Sequence, residues 1–247
     1  MNQDLGVEIT WLGHGTVLYR SEKGRTVLAD AWVDGNPACP PAAKTLPKID
    51  LLLITHGHSD HVEDLITIAK QHAPDIVCIL EIAHHYRSKG VQKLHGMNKG
   101  GTVEFQGIRA TMVHAVHSST IEEGDQLIPA GEAAGFIIEF ENGTRVYHAG
   151  DTAVFSDMKL IGEIYHPTIA VLPIGDHYTM SPLEASFAAK MLGVKSIVPI
   201  HHSSFPVLTG TPAALRKLLE GSGIEILDVK PGESVYRAKA RDGALSK

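Results

Sequence analysis

Cysteine and long apolar runs are both scarce in this chain. Of its 247 residues only 2 are cysteines, Cys39 and Cys78, and they form no recognisable metal or redox motif. We expect both to be reduced thiols in a cytoplasmic protein, with Cys78 in the core of a strand. No apolar run approaches the roughly 20 residues that cross a bilayer, and the first residues lack the pattern of a signal peptide. Neither a membrane span nor a leader is therefore expected.

Positive charge is also in short supply. The chain has 22 Lys and Arg residues against 28 Asp and Glu residues, a formal net charge of -6. A nucleic-acid partner is therefore not expected, and the expected partner is a small molecule, while assembly into a homo-oligomer stays open. No G-x-G-x-x-G follows a strand, no P-loop exists, and no G-x-S-x-G elbow offers a serine nucleophile.

Predicted strands alternate with predicted helices along the whole chain. Leu51–Thr55 is a continuous apolar run, typical of a strand that is covered on both faces, and a helix is expected from Asp60 to about His72. Gly135–Glu141 and Thr144–His148 are predicted to pair across the turn Asn142-Gly143. This order favours an α+β fold in which two packed sheets carry helices outside, a four-layer αβ/βα sandwich. A Rossmann-type sheet is the competing architecture.

The chain shows no linker, so residues 1–247 are expected to form a single domain. The longest stretch without periodicity, Ser118–Glu132, is predicted to be a mobile loop. A helix is expected over Pro182–Leu192, with Gly193 closing it. The last strand is expected near Ser234–Tyr236.

Histidine, by contrast, is abundant. The chain has 15 histidines, dispersed along its length, and histidine is the commonest side-chain ligand of metals. Four ligand-type residues fall within the six positions of His56-Gly57-His58-Ser59-Asp60-His61, directly after a buried strand. Side chains two apart on an extended chain point the same way, so His56 and His58 can bind one ion, with Gly57 allowing a tight turn between them. Asp60 and His61 follow where the helix begins and can reach a second ion.

This H-x-H-x-D-H loop resembles the signature loop of the metallo-β-lactamase superfamily. The likeness extends over essentially the whole chain and is closest to a branch of uncharacterised metal-dependent hydrolases. That branch is similar to ascorbate-6-phosphate lactonase and to the N-acylphosphatidylethanolamine phospholipases D. The other segments that carry the likeness are Trp11–Gly15, His95–Asn98, His117–Ser119, Tyr147–Thr152 and Pro173–His177.

The resemblance implies a set of seven metal ligands. Metal one is expected to be held by His56, His58 and His117, metal two by Asp60, His61 and His201, and both by the bridging carboxylate of Asp151. His114 is a weaker candidate than His117 because it lies on the opposite face of the strand. His202 stands where the family is expected to have an aromatic residue, so it competes with His201 as the ligand. The family register favours His201 and is expected to leave His202 at the rim of the pocket.

Oxygen and nitrogen ligands without thiolates suit zinc, and also manganese, iron or nickel. A metal-bridging hydroxide is then expected to cleave an ester, lactone or phosphoester bond of a small anionic substrate. The expected catalytic residues are Asp60, Asp151 and His14. Two alternatives stay open: an iron-dependent oxidoreductase of the same fold, and a non-catalytic metal-binding module.

Several side chains are expected to support the site. The family places an acid at Asp30 that orients a ligand histidine, although Ala31 stands where proline is expected. His14 is expected to contact substrate or a developing oxyanion. Supporting or pocket-lining roles are considered for His148, His177, His95 and Asn98, whereas solvated surface positions are expected for His72, His84, His85 and His166.

Overall fold

The computed structural model describes residues 5–235, which form two seven-stranded sheets and a separate two-stranded hairpin. In chain order the strands are β1 (Val7–Gly13), β2 (Thr16–Ser21), β3 (Thr26–Ala29), β4 (Leu51–Leu53), β5 (Asp75–Ile79), β6 (Leu94–Met97), β7 (Thr102–Phe105), β8 (Ile108–His114), β9 (Thr120–Glu123), β10 (Gln126–Pro129), β11 (Ala134–Glu139), β12 (Arg145–His148), β13 (Ile169–Pro173), β14 (Ser196–Ile200), β15 (Glu225–Ile226) and β16 (Ser234–Val235). Tyr236, the last residue of the predicted final strand, lies outside the described residues.

Both large sheets are mixed. The first has the order β16-β1-β2-β3-β4-β5-β6 and the second the order β15-β14-β13-β12-β11-β8-β7. In the first sheet the antiparallel strands β1–β3 continue into parallel strands. In the second sheet the antiparallel strands β7, β8, β11 and β12 continue into parallel strands. The parallel strands are buried throughout, as in β4, where Leu51, Leu52 and Leu53 are at most 2% exposed.

Within the described residues, six α-helices accompany the sheets. They are α1 (Ser59–Val62), α2 (Leu65–His72), α3 (Leu80–Ser88), α4 (Met158–Tyr165), α5 (Pro182–Leu192) and α6 (Pro212–Leu218). A capping box of Ser181 and Glu184 begins α5, and Gly193, with φ of 67°, ends it as predicted. In the part of the chain that the structure describes, no helix is long and apolar enough to cross a membrane.

The predicted helix from Asp60 to His72 is wrong in one respect, because it is broken into α1 and α2. Asp64, at the break, accepts hydrogen bonds from the backbone N–H groups of Val33 (2.6 Å) and Asp34 (2.8 Å). The break therefore ties α1 to the loop after β3 and fixes the position of the short helix that carries Asp60 and His61.

The prediction of a mobile loop at Ser118–Glu132 is also wrong. β9 and β10 pair in register across Gly124 and Asp125. Ser119 Oγ, which donates to the carbonyl oxygen of Ala130 (3.0 Å), closes the base of the hairpin. Gly-Asp between short alternating segments is itself a two-residue turn signal, which the sequence reading overlooked.

The main core lies between the two sheets. Buried side chains from the first sheet, such as Ile9 and Leu28, belong to one apolar cluster with Phe136, Ile138 and Val198 of the second sheet. A second cluster lies between the outer face of the second sheet and helices α4, α5 and α6. The fold is an α+β sandwich of two mixed sheets with helices, as predicted, and not a Rossmann-type sheet.

Candidate metal centre

One edge of the sandwich gathers histidine and aspartate side chains from both sheets. The loop after β4 supplies the motif from His56 to His61, and loops after β8, β12 and β14 supply His117, Asp151 and His201. Because the C-terminal ends of neighbouring parallel strands meet at one edge of a sheet, side chains distant in sequence become neighbours in space. All seven predicted ligands lie at this edge.

The side chains form two donor groups, and a third cluster of His56, His61 and Asp151 overlaps both of them. The first donor group is His56, His58 and His117, and the second donor group is His14, Asp60, His61 and His201. Within each group the ligand atoms lie within 4.8 Å of one another. The second group thus contains the three residues predicted for metal two and adds His14 to them.

Asp151 lies between the two groups. Its Oδ2 atom is 3.1 Å from His201 Nε2 and 3.4 Å from His61 Nε2, both in the second donor group. The same oxygen is 3.7 Å from His117 Nε2 and 4.0 Å from His56 Nε2, both in the first donor group. One carboxylate at 3% exposure therefore faces four imidazoles, two from each donor group.

Three buried donor atoms are placed to bind a cation and do not form hydrogen bonds with one another. His61 Nε2, His201 Nε2 and Asp151 Oδ1 have no hydrogen-bond partner among the described residues. The two nitrogens are close to Asp151 Oδ2, yet neither points at it with hydrogen-bond geometry. Buried polar atoms are rarely left unpaired, so lone pairs that converge on a common point indicate a metal position.

Asp30 orients two of the donor histidines. Its Oδ2 atom lies 2.7 Å from His61 Nδ1, which leaves His61 Nε2 facing the centre. Thr55 donates from Oγ1 to the same carboxylate (2.8 Å), and this hydroxyl oxygen lies 3.0 Å from His56 Nδ1. A carboxylate that receives the second nitrogen of a ligand histidine fixes the ring and its tautomer. The structure thus places Asp30 where the sequence predicted an orienting acid.

The charged groups of the centre favour the binding of a cation. Burial opposes the charged form of Asp151, but His201 and His61 hold the pKa of its carboxyl well below its usual range. Burial also opposes protonation of His61, yet the three carboxylates around it raise the pKa of its ring well above the ordinary value. Burial, together with the neighbouring His61, lowers the pKa of His56. A bound cation can neutralise the negative charge of these carboxylates, which a proton on His61 neutralises otherwise.

His14 lies beneath the cleft rather than in it. The side chain is 1% exposed, and its Nε2 atom lies 2.8 Å from Asp60 Oδ2. Burial opposes the charged form of Asp60, but His61 and the hydrogen bond from His14 lower the pKa of its carboxyl. The His14 carbonyl oxygen accepts bonds from Trp11 Nε1 and from the backbone N–H of His201, both at 2.9 Å. His14 therefore contacts members of the second donor group instead of the cleft.

His201 and His202 point in different directions. His201 is 1% exposed and faces Asp151, whereas His202 packs against Trp11 with ring centroids 4.7 Å apart. The Nδ1 atom of His202 lies 3.0 Å from Ser203 Oγ, and burial lowers the pKa of its ring to about 4. His202 is buried and not at the rim of the cleft, where the sequence reading expected it.

Other histidines lie away from the centre. His148 is buried and bonded to Tyr19 Oη (2.8 Å), and burial lowers the pKa of its ring to about 4. His177 is exposed and does not line the cleft. His95 pairs with Asp75 at 2.8 Å, and Asn98 is exposed, and neither of these two residues lines the cleft. His114 lies outside both donor groups, beside Lys99.

Of the four expected surface histidines, His84 and His166 are exposed and His72 is half-buried, while His85 is half-buried beside Glu123.

Two positions beside the loop require glycine because atoms of other residues occupy the space that a Cβ would fill. A Cβ at Gly57 would lie 2.9 Å from Ala130 Cβ and 3.0 Å from the Thr120 carbonyl oxygen, both on the β9–β10 hairpin. The tight turn expected there is not the reason for this glycine, since its φ is not positive. A Cβ at Gly15 would lie 2.4 Å from His61 Cε1. Both glycines thus let other elements reach the histidines.

An open cleft of about 1060 Å³ leads to the centre. Its floor includes His58, Asp60, His117, Asp151 and His201. Its walls come from residues that the sequence did not single out as ligands. They are Trp32, Glu63, Glu122, Leu127, Tyr178, Phe205 and Val207, together with the hydroxyl residues Ser59, Ser118 and Thr120.

Known proteins match this chain over most of its length. Residues 25–202 match the β-lactamase superfamily domain family. The chain belongs to that superfamily. Over 229 residues it is 51% identical to the UPF0173 metal-dependent hydrolase of Koribacter versatilis, with 93% of this chain and 97% of the relative covered. The chain is thus a member of the UPF0173 family of metal-dependent hydrolases, and the predicted family membership is confirmed.

Solved structures carry the same fold. The metallo hydrolase Igni18 from Ignicoccus hospitalis has a TM-score of 0.83 and 33% identity, covering 94% of this chain and 98% of its own. The diiron β-hydroxylase CmlA from Streptomyces venezuelae has a TM-score of 0.72 at 15% identity, covering 94% of this chain and 54% of its own. At that identity the likeness to CmlA concerns the fold alone.

Proposed function

We propose that this member of the family is a dinuclear hydrolase that cleaves an ester, lactone or phosphoester bond of a small molecule. The observation that carries the proposal is the shared carboxylate: Asp151 Oδ2 lies within 4.0 Å of histidines from both donor groups. Unpartnered Nε2 atoms of His61 and His201 beside it support the same conclusion.

The proposed ligands follow the two groups. His56, His58 and His117 would hold one cation, Asp60, His61 and His201 the other, and Asp151 both. Imidazole and carboxylate donors suit zinc and equally manganese, iron or nickel. Two divalent cations at these positions would lower the pKa of a bound water to about 7 and stabilise negative charge on the reacting group.

The chain's own residues position the reaction. His58, His117, Asp60 and Asp151 face the cleft, so a substrate carbonyl or phosphoryl group can approach only from this side. His14 and Asp30, both buried, fix Asp60 and His61 from behind. In the hydrolysis, the oxygen of water bonds to carbon or phosphorus, the bond to the leaving oxygen breaks, and that oxygen takes up a proton. We assign Asp60, which is 29% exposed, to guide the attacking water, and His14 to position Asp60.

The experiment is a substrate screen of metal-loaded protein. The full chain is stripped with chelator, reloaded with zinc or manganese, and assayed with lactones, phosphodiesters, thioesters and β-lactams. We expect turnover of at least one ester-type class that disappears on chelation and returns with metal. Asp157→Asn, an exposed change at the start of α4 and outside the cleft lining, is the matched control for Asp151→Asn. Protein that binds two cations and turns over none of these classes would contradict the proposal.

A further inference from the structure

The walls of the cleft carry large apolar side chains that are exposed to solvent and are not packed in the core. Large apolar side chains stand exposed at eleven described positions, and four of them line this cleft: Leu127 (66%), Tyr178 (56%), Phe205 (36%) and Val207 (45%). They come from three separate elements, namely β10, the loop before α5 and the loop before α6. We call these four residues the apolar wall. Exposed apolar groups gathered around a concave site mark a ligand surface.

An aromatic pair anchors one end of the apolar wall. Phe205 stacks on Trp32 with ring centroids 6.2 Å apart and 25° between the ring planes. Trp32 is only 7% exposed, so the outer ring rests on a fixed partner. The edge of the Phe205 ring also meets His14, at 5.3 Å between centroids. The apolar wall is therefore continuous with the side chains beneath the candidate metal centre.

The charged groups at the mouth of the cleft are negative. Glu63 and Glu122 line the cleft in addition to Asp60 and Asp151, and the lining contains no Lys or Arg. Within residues 5–235 neither glutamate forms an ion pair. An anionic group on a substrate would find no cationic side chain there and would approach two uncompensated carboxylates.

We infer that the substrate carries an apolar body without negative charge, which lies against the apolar wall, and that Glu63 and Glu122 favour cationic substituents over anionic ones. This inference rests on the proposed function, because the scissile group must reach the centre at the floor of the same cleft. It replaces the anionic substrate expected from the sequence.

The test uses three ligands that share one scaffold and carry a neutral, a cationic or an anionic group at the same position. They are 3-phenylpropanohydroxamates with a para methyl, trimethylammonium or carboxylate group, and binding to the zinc-loaded full chain is measured by calorimetry at low salt. We expect the cationic ligand to bind tightest and the anionic ligand weakest, with roughly tenfold between them. The double change Glu63→Gln and Glu122→Gln should reduce this difference to about twofold. Glu220→Gln, an exposed change after α6 and outside the cleft lining, should leave it unchanged.

The apolar wall is tested separately. Phe205→Ala and Leu127→Ala should each weaken all three ligands by about fivefold or more, whatever their charge. Leu160→Ala, at an exposed position on α4, is the matched control. Equal binding of the three ligands, or tightest binding of the carboxylate, would overturn the inference while leaving the proposed function standing. Failure of all three to bind protein that holds two zinc ions would also overturn the inference, whereas the substrate screen alone decides the proposed function.

Discussion

The two donor groups are built differently. In the first, His58 and His117 are half-buried and line the cleft, and no carboxylate belongs to the group alone. In the second, His61 and His201 are at most 1% exposed, and Asp60 adds a negative charge of its own. Asp30, which lies outside the second group, is hydrogen-bonded to His61, and within the group the buried His14 is hydrogen-bonded to Asp60. Preorganised, charged ligands bind a cation more tightly, so the difference predicts that the first cation leaves before the second.

The largest effect is expected from Asp151→Asn, because this residue serves both groups. The amide removes the shared negative charge, so we expect less than one cation per chain and a loss of turnover of about a thousandfold. Elemental analysis and the rate on the best substrate of the screen are the measurements. A thermal unfolding curve shows whether the variant is folded. A folded variant with two cations and unchanged turnover would refute a bridging role.

A pair of variants separates the two groups. Asp60→Ala should empty the second position and His58→Ala the first, so that each variant retains roughly one cation. The cation left in the Asp60→Ala variant should be removed by a weaker chelator than the one left in the His58→Ala variant, since the first group lacks a carboxylate of its own. Chelator competition with a zinc-sensitive dye measures this order. The reverse order would break the comparison between the groups.

Asp30→Asn should have a smaller effect that reaches both groups. The carboxylate bonds His61 directly and His56 through Thr55, so its loss should lower cation affinity roughly 10- to 100-fold. Asp34→Asn, at an exposed position in the next loop, should leave affinity unchanged. Titration with a competing chelator gives both values. An unchanged affinity in Asp30→Asn would show that the ligand rings are fixed without this carboxylate.

The smallest effect on the centre is expected from His202→Ala. His202 packs on Trp11, away from Asp151, so this change should leave the cation content unchanged and cost about 1–3 kcal/mol in the free energy of unfolding. His201→Ala, by contrast, should lower cation content and turnover together. Elemental analysis and chemical denaturation distinguish the two. Loss of cation only on changing His202 would contradict the geometry.

Local patterns predicted the parts of the site that lie close in sequence. The six-residue loop after β4 follows from one apolar run and the spacing of its ligands, and the fold class follows from the order of elements. The position of His14 could not be read in this way. It depends on a left-handed backbone, with φ of 50°, and on contacts with Asp60 and His201, which are remote in sequence.

Backbone conformation explains other failures. Asp30 and His201 also adopt positive φ, 60° and 53°, a region that costs non-glycine residues free energy and that no local pattern announces. The turn at His201 ends the extended chain, and His202 then packs on Trp11 instead of reaching the rim. The cleft walls were missed for another reason: Leu127 and Phe205 look like ordinary apolar residues until the β9–β10 hairpin and the loop before α6 bring them to one cleft.

The most direct test of the two-group centre is anomalous diffraction from crystals of the zinc-loaded full chain, collected on both sides of the zinc absorption edge. We predict two anomalous peaks, one among His56, His58 and His117 and the other among Asp60, His61 and His201, with Asp151 contacting both. A single peak in the presence of excess zinc, or two peaks that share no contact with Asp151, would contradict the account.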